Sequence, residues 1–346
     1  MADPADVLTI AQQWLFESFI EPVAFSLGLG NLLEDGYAAA GWVLAGLLQI
    51  AVLLLAIGPA ERRWPVEPVT DRAAVRVDVL YTLLHRLGVF KLVMFFTVER
   101  WLIDGIGVLR VHGVPTLHLD ELWPGVTDRA AVSFALYLVV FDFIAYLVHR
   151  AQHQWDWWWQ LHAVHHSQRQ MTMWSDNRNH LLDSALTDAL FVLVAIAIGV
   201  APGQFVLLVA ATQLMESLQH ANLRCSFGRV GERLAISPRF HRRHHAIGIG
   251  HEARSVRKPG AVRPPQGASA SFGGSKPRAA GSVGANVRGV NFGVLFPWWD
   301  MLLGSADFGG CFEATGIRDQ VERGRDYGRG FWAQQWLGLG RLLGRT

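Results

Sequence analysis

Fourteen of the 346 residues are histidine, and eight of these fall into three clusters. His149 and His153 are spaced i, i+4. His162, His165 and His166 are spaced i, i+3, i+4, and His241, His244 and His245 repeat that pattern. On a helix such positions share one face, so each cluster is expected to aim its imidazoles at one point. Neutral imidazole is the commonest biological metal ligand. Several imidazoles on one face suit iron, zinc or copper rather than magnesium or calcium. At this histidine content, two accidental copies of HxxHH have odds of roughly a few in ten thousand.

Two further histidines extend the set. His180 lies in the segment after the second cluster, and His220 ends an apolar stretch. Together they make ten candidate metal ligands: His149, His153, His162, His165, His166, His180, His220, His241, His244 and His245. Ten imidazoles exceed the needs of one metal and suit two. His85, His112 and His118 have no partner spacing and read as structural or solvent-facing. A ligating imidazole usually donates its other N–H to a carboxylate or carbonyl. Asp142, two turns before His149, and Glu216, one turn before His220, are the expected acids. Asp183 reads equally well as such an acid or as a helix cap.

The elements that must position these residues are long and apolar. A membrane span needs about 20 mostly apolar residues. Five candidates follow: Ala38–Ile57, Leu87–Val98, Ala130–Val148, Ala185–Val200 and Phe205–Leu218. Leu87–Val98 is the weakest, being short and containing Lys91. Lys and Arg concentrate after the first, third and fifth of them, which places those ends in the cytosol and the N-terminus outside. Both histidine-rich segments then lie at the cytosolic membrane surface. The cluster Trp155, Trp157, Trp158 and Trp159 suits an interfacial anchor.

Composition agrees with a membrane protein. Apolar residues make up 51% and charged residues 17%, against about 25% charge in a soluble chain. Two cysteines exclude a disulfide scaffold and a four-cysteine zinc ribbon. The net charge is +2, yet residues 253–289 hold seven Lys or Arg and no acid, so the remainder is −5. No nucleic-acid module is present. The expected organisation is an all-α, multi-span membrane protein with a cytosolic histidine-rich cap. Residues 1–129 form an N-terminal membrane region with about two spans. Residues 130–252 and 290–310 form the histidine-box catalytic region. Residues 253–289 are a disordered basic insert, since their Gly, Ser, Pro and Ala content cannot bury a core. Residues 311–346 are a C-terminal tail.

These residues resemble the fatty acid hydroxylase/sterol desaturase superfamily. The likeness runs through Asp142, Tyr146, His149, Arg150 and His153, then HAVHHS at 162–167, RNH at 178–180 and HANL at 220–223. It continues through SPRFHRRHHA at 237–246 and closes with NFGVLFPWWDMLLGSADF at 291–308. The resemblance implies a di-iron centre bound by the ten histidines, with O2 as co-substrate. It implies hydroxylation or desaturation of a lipid, fatty acyl or sterol-like, drawn from the bilayer of a bacterial inner membrane or endoplasmic reticulum. No GxGxxG and no HPGG motif appears, so the electron donor is expected to be a separate reductase or cytochrome. The residues alone leave two other readings open: a zinc-dependent membrane hydrolase, against which stands the lack of HExxH, and a non-catalytic metal binder or transporter.

Overall fold

The computed structural model describes residues 4–249 and 288–345. Nearly all of the segment expected to be a disordered basic insert, 253–289, lies outside the described residues. The fold is all-α; among the described residues there is no strand, only isolated bridges such as Pro65 to Leu223 and Ala246 to Thr315.

Eight helices position the histidines: α1 (Leu33–Val52), α2 (Arg72–Arg86), α3 (Ala130–Gln154), α4 (Asp156–His166), α5 (Leu181–Ala197), α6 (Pro202–His220), α7 (Pro238–His244) and α8 (Phe331–Leu342). Their limits follow local chemistry. Pro202 and Pro238 stand at the first turns of α6 and α7, where the missing N–H costs nothing. Ser237 caps α7 by accepting from Phe240 N at 3.1 Å. Asp156 opens α4, where a carboxylate meets the positive end of the helix dipole.

Two helical stretches are long and apolar enough to cross a membrane: Gly30–Arg63, which contains α1, and Ala130–Gln154, which is α3. A third is possible if Arg72–Arg86 and Val89–Val111, bent by 53°, act as one span. This is fewer than the five expected from hydropathy. α5 is 17 residues long and carries Asp183 and Asp188; α6 carries Thr212, Gln213, Glu216 and Gln219. The polar residues of these two helices line an internal cavity, so their apolar content serves packing as much as lipid contact. The chain is an integral membrane protein by its candidate spans.

α1 and α2 meet backbone to backbone. A Cβ on Gly46 would lie 1.7 Å from Arg86 O, so only glycine permits this crossing. The Arg86 side chain then runs into the interior. It bonds Asp176 at 2.7 Å, Ser217 Oγ at 2.9 Å and Gln213 O at 2.9 Å, tying α2 to α6 and to the turn before α5. An apolar core of Tyr137, Phe141, Ala195 and Leu208 joins α3, α5 and α6.

The closing segment 290–308 folds over the ends of α3 and α7. Asn291 holds a left-handed φ of 60°, a conformation asparagine tolerates better than most side chains. Its side-chain amide donates to Phe240 O and Asp307 O, both at 3.0 Å. Asp300 accepts from Phe292 N at 2.9 Å, Gly293 N at 2.7 Å and Ser305 Oγ at 2.6 Å. Asp142, on α3, accepts from Leu295 N at 2.7 Å and Trp299 Nε1 at 2.8 Å. Two buried carboxylates thus fix a stretch that has no helix of its own between 288 and 297.

Candidate metal centre

Nine of the ten candidate histidines converge, in two groups. His149, His153, His162, His166 and His244 form one, and His165, His220, His241 and His245 the other; within each group the potential ligand atoms lie within 4.8 Å of one another. Rings of the two groups also touch: the His166 and His245 centroids are 4.3 Å apart.

Each HxxHH cluster is divided between the groups, which departs from the expectation of a single target per cluster. His162 and His166 serve the first group while His165 serves the second. His241 and His245 serve the second while His244 serves the first. Helix geometry explains the split. With about 3.6 residues per turn, position i+4 lies roughly 40° to one side of i and position i+3 roughly 60° to the other. The i, i+4 pair therefore points one way and the middle histidine another. The histidines of α4 and those at α7 face one another across this split, His166 with His244 and His245, and His165 with His245.

The outer nitrogens fix the direction of the inner ones. His149 Nδ1 donates to Phe292 O at 2.8 Å, His244 Nδ1 to Val290 O at 2.7 Å and His220 Nδ1 to the Glu216 backbone O at 2.8 Å. His162 Nδ1 bonds Asp183 Oδ2 at 3.0 Å. A carbonyl can only accept, so those rings carry their proton outward and present a bare Nε2 lone pair inward. The inward Nε2 atoms crowd together: His220 with His165 at 3.1 Å, His241 with His220 at 3.1 Å, and His244 with His166 at 3.2 Å. His162 Nε2 is buried with no hydrogen-bond partner. Converging lone pairs in a buried place need a cation between them. The donor set thus fits two soft-to-borderline metal ions.

Burial and the neighbouring imidazoles hold His165, His166, His241 and His245 well below the ordinary histidine range. They are therefore neutral, as ligands must be. In the unfolded chain the same groups protonate near pH 6.5, so the unfolded state binds more protons below that pH. Stability of the metal-free protein is expected to fall as pH drops through 6.5, by roughly 1.4 kcal/mol per pH unit for each such imidazole. Thermal unfolding between pH 7.5 and 5.5, with and without chelator, measures this; a flat profile in chelator contradicts it.

The remaining expected residues lie as follows. His180 stands outside both groups. Its Nδ1 accepts from Leu182 N at 3.1 Å as the cap of α5, and its Nε2 bonds Gln335 O at 2.9 Å. A Cβ on Gly338 would sit 2.4 Å from its ring, so α8 packs directly over it. Both nitrogens are spent on backbone, which removes His180 from the converging set. Asp142 reaches no histidine; it acts on His149 at one remove, by anchoring the segment whose Phe292 carbonyl holds that ring. Glu216 holds His220 through its backbone carbonyl, not its carboxylate.

Asp183 is the acid that sequence spacing left undecided. It accepts from Gln152 Nε2 and Trp158 Nε1, both at 2.7 Å, and bonds His162. The tryptophan cluster divides in the same way. Trp155 and Trp157 are exposed, Trp158 is buried on Asp183, and Trp159 packs on His153 and His166 at 5.1 and 5.3 Å. Asp183→Asn is expected to lower metal affinity roughly tenfold to a hundredfold while leaving the fold intact. Competition against a calibrated chelator checks this, and unchanged affinity speaks against the assigned contact.

A cavity of about 300 Å3 adjoins the centre, and His149, His162, His165, His220 and His241 form part of its wall. The chain is thus an all-helical protein with candidate membrane spans, in which two histidine clusters suited to metal binding stand against an internal cavity. Residues 134–252 match the family model "Fatty acid hydroxylase". Among curated proteins the chain is similar to the ornithine lipid hydroxylase OlsE of Rhizobium tropici, with 29% identity over 129 residues. That match covers 37% of this chain and 38% of the relative's own length. No solved structure matches the chain.

Proposed function

We propose that the protein is a membrane-bound di-iron lipid hydroxylase. The observation that carries this reading is the pair of buried imidazole groups, five and four strong, opening on one cavity. A tetrahedral structural zinc site closes at four protein ligands, and a catalytic zinc site uses three. A group of five imidazoles exceeds both needs, and the two groups together suit iron. The first iron would be held by His149, His153, His162, His166 and His244, and the second by His165, His220, His241 and His245.

Iron bound there would supply O2 reduction coupled to C–H oxidation, work beyond amino-acid side chains. The balance is RH + O2 + 2 electrons + 2 protons giving ROH + H2O, with the electrons coming from a separate reductase or cytochrome. The chain's own residues orient and exclude. Phe292 and Val290 carbonyls and Asp183 hold the rings, and the Tyr146–Ser305–Asp300 hydrogen bonds seal the closing segment beneath them. The substrate is a lipid reached from the bilayer, and the relative's name makes an amino-acid-headed lipid one member of that class. The metal face lies on the cytosolic side by the Lys/Arg bias.

Metal analysis of detergent-purified protein tests the reading. About two irons per chain are expected by the ligand grouping, with oxygen-dependent hydroxylation of a membrane lipid extract on adding reductant. Two zincs with oxygen-independent lipid cleavage would favour a hydrolase. No bound metal in well-folded protein would end the proposal. Metal removal is expected to lower the unfolding temperature, since an ion present at 100 times its Kd stabilises by about 2.7 kcal/mol.

A further inference from the structure

The exposed tryptophans beside α4 are joined to the first histidine group by a line of direct contacts. Trp155 and Trp157 are 52% and 47% exposed. Their rings stack on each other at 6.1 Å and on Trp158 at 5.7 and 5.2 Å. Trp158 is 4% exposed. Its Nε1 donates to Asp183 Oδ1 at 2.7 Å, and Asp183 Oδ2 bonds His162 Nδ1 at 3.0 Å. The line therefore runs from a surface pair of indoles, through one buried indole and one carboxylate, to a candidate metal ligand. Large apolar side chains gathered at a surface mark an interaction site, and tryptophan is a leading anchor of protein interfaces.

The place of the pair along α3 selects a protein over lipid as its occupant. The apolar run of that helix ends at Val148, seven residues before Trp155. At about 1.5 Å per residue this is roughly 10 Å, against a headgroup layer of roughly 5–8 Å on each side of the hydrocarbon. The pair thus stands past the lipid, which counts against the interfacial anchor expected from composition. Charge narrows the partner further. Arg288 has its backbone N and O bonded to the Gln154 side chain at 3.3 and 2.9 Å, and its guanidinium pairs with Asp156, the acid between the two tryptophans. Residues 253–289, which rejoin the described chain there, carry seven Lys or Arg and no acid. The local field therefore favours a partner with an acidic face.

We infer that Trp155 and Trp157 form the docking surface for an acidic one-electron carrier protein, and that Trp158, Asp183 and His162 relay its electrons to the metal centre. This rests on the lipid hydroxylase reading, which draws two electrons per turnover from outside the chain. Each carrier is oxidised by one electron, two encounters reduce the two ferric ions to ferrous, and no bond or proton changes place in the transfer. The bonded contacts matter because electron tunnelling falls off more steeply across a gap than through a hydrogen bond.

The test follows electron arrival with no lipid and no oxygen present. Full-length iron-loaded protein in detergent, oxidised and anaerobic, is mixed with a reduced acidic [2Fe–2S] ferredoxin, and loss of the ferric signal is timed against ferredoxin concentration. Dithionite, which needs no docking surface, is the parallel reductant. Wild-type reduction is expected to saturate with ferredoxin. Trp155→Ala combined with Trp157→Ala should raise the half-saturating concentration on the order of tenfold or more, the scale of one lost interface anchor. Trp158→Phe keeps an aromatic ring but offers Asp183 no N–H. It should lower the limiting rate by an order of magnitude at unchanged half-saturation. Gln152→Leu, which removes the other bond to Asp183, should leave that rate as it was. Iron content and the dithionite rate should match wild type in all three, which a merely structural role would not give. An unchanged half-saturation in the double variant, or no saturation in wild type, would overturn the docking surface and return the pair to lipid. A limiting rate unmoved by Trp158→Phe, an equal loss with dithionite or in Gln152→Leu, or loss of iron from Trp158→Phe would overturn the relay. Only a wild-type protein that takes up no iron would overturn the hydroxylase reading as well.

Discussion

Replacing His244 by alanine is expected to abolish activity, a loss on the order of a thousandfold or about 4 kcal/mol of barrier, and to halve the metal content or remove it. His244 is one of the five imidazoles of the first group. Its Nε2 is 3.2 Å from His166 Nε2, its ring centroid is 4.4 Å from that of His149, and its Nδ1 is held by Val290 O. Removing it deletes one candidate ligand of that group and leaves the Val290 carbonyl without its donor. The paired control is His180→Ala. That ring spends both nitrogens on backbone partners, so the variant should retain full metal content. Losing the cap of α5, the bond to Gln335 O and the buried ring together should cost it about 2–4 kcal/mol of stability, with no loss of metal. Metal analysis and thermal unfolding of the two proteins side by side distinguish a nine-histidine centre from a ten-histidine one. Equal metal loss in both would restore His180 to the ligand set.

The second large effect is expected away from the metals. Arg86→Ala leaves Asp176 buried with Ser217 as its remaining bonded side chain, and breaking a buried ion pair this way costs about 3–5 kcal/mol. The loss propagates because Arg86 also bonds Gln213 through both its side chain and its carbonyl, so α2 and α6 lose their common anchor beside the cavity. Replacing both members of the pair with apolar residues of similar volume, Arg86→Met with Asp176→Leu, should recover much of the loss. A double-mutant cycle read by thermal unfolding measures the coupling. If the double variant is no more stable than Arg86→Ala, the cost arises from lost packing of the arginine stem and not from the stranded carboxylate.

The histidine clusters and the all-helical class were legible from spacing, because helix periodicity is a local property that neighbouring residues determine together, whereas Asp142, expected from spacing to take an imidazole N–H, binds Leu295 N and Trp299 Nε1 instead. The sequence alone also marked His220 as a companion to the clusters, and the structure places it 3.1 Å from both His165 and His241. What needed the tertiary structure was every relation across long separations. The division of each HxxHH between two groups depends on how the rings at α4 meet those at α7, and no local pattern encodes that meeting. Asp183 became the support of His162 because α5 packs beside α4 and not because of any spacing to the first cluster. His180 left the set because α8, from the far end of the chain, supplies the Gln335 carbonyl and the bare Gly338 surface that take its ring. The five hydropathy stretches reduced to two or three candidate spans for a similar reason: apolar content is summed along a helix, but which face of α5 and α6 turns polar toward a cavity is decided by their neighbours. Ligand identity in this protein is local chemistry written in the chain, and ligand grouping is geometry that only the packed helices provide.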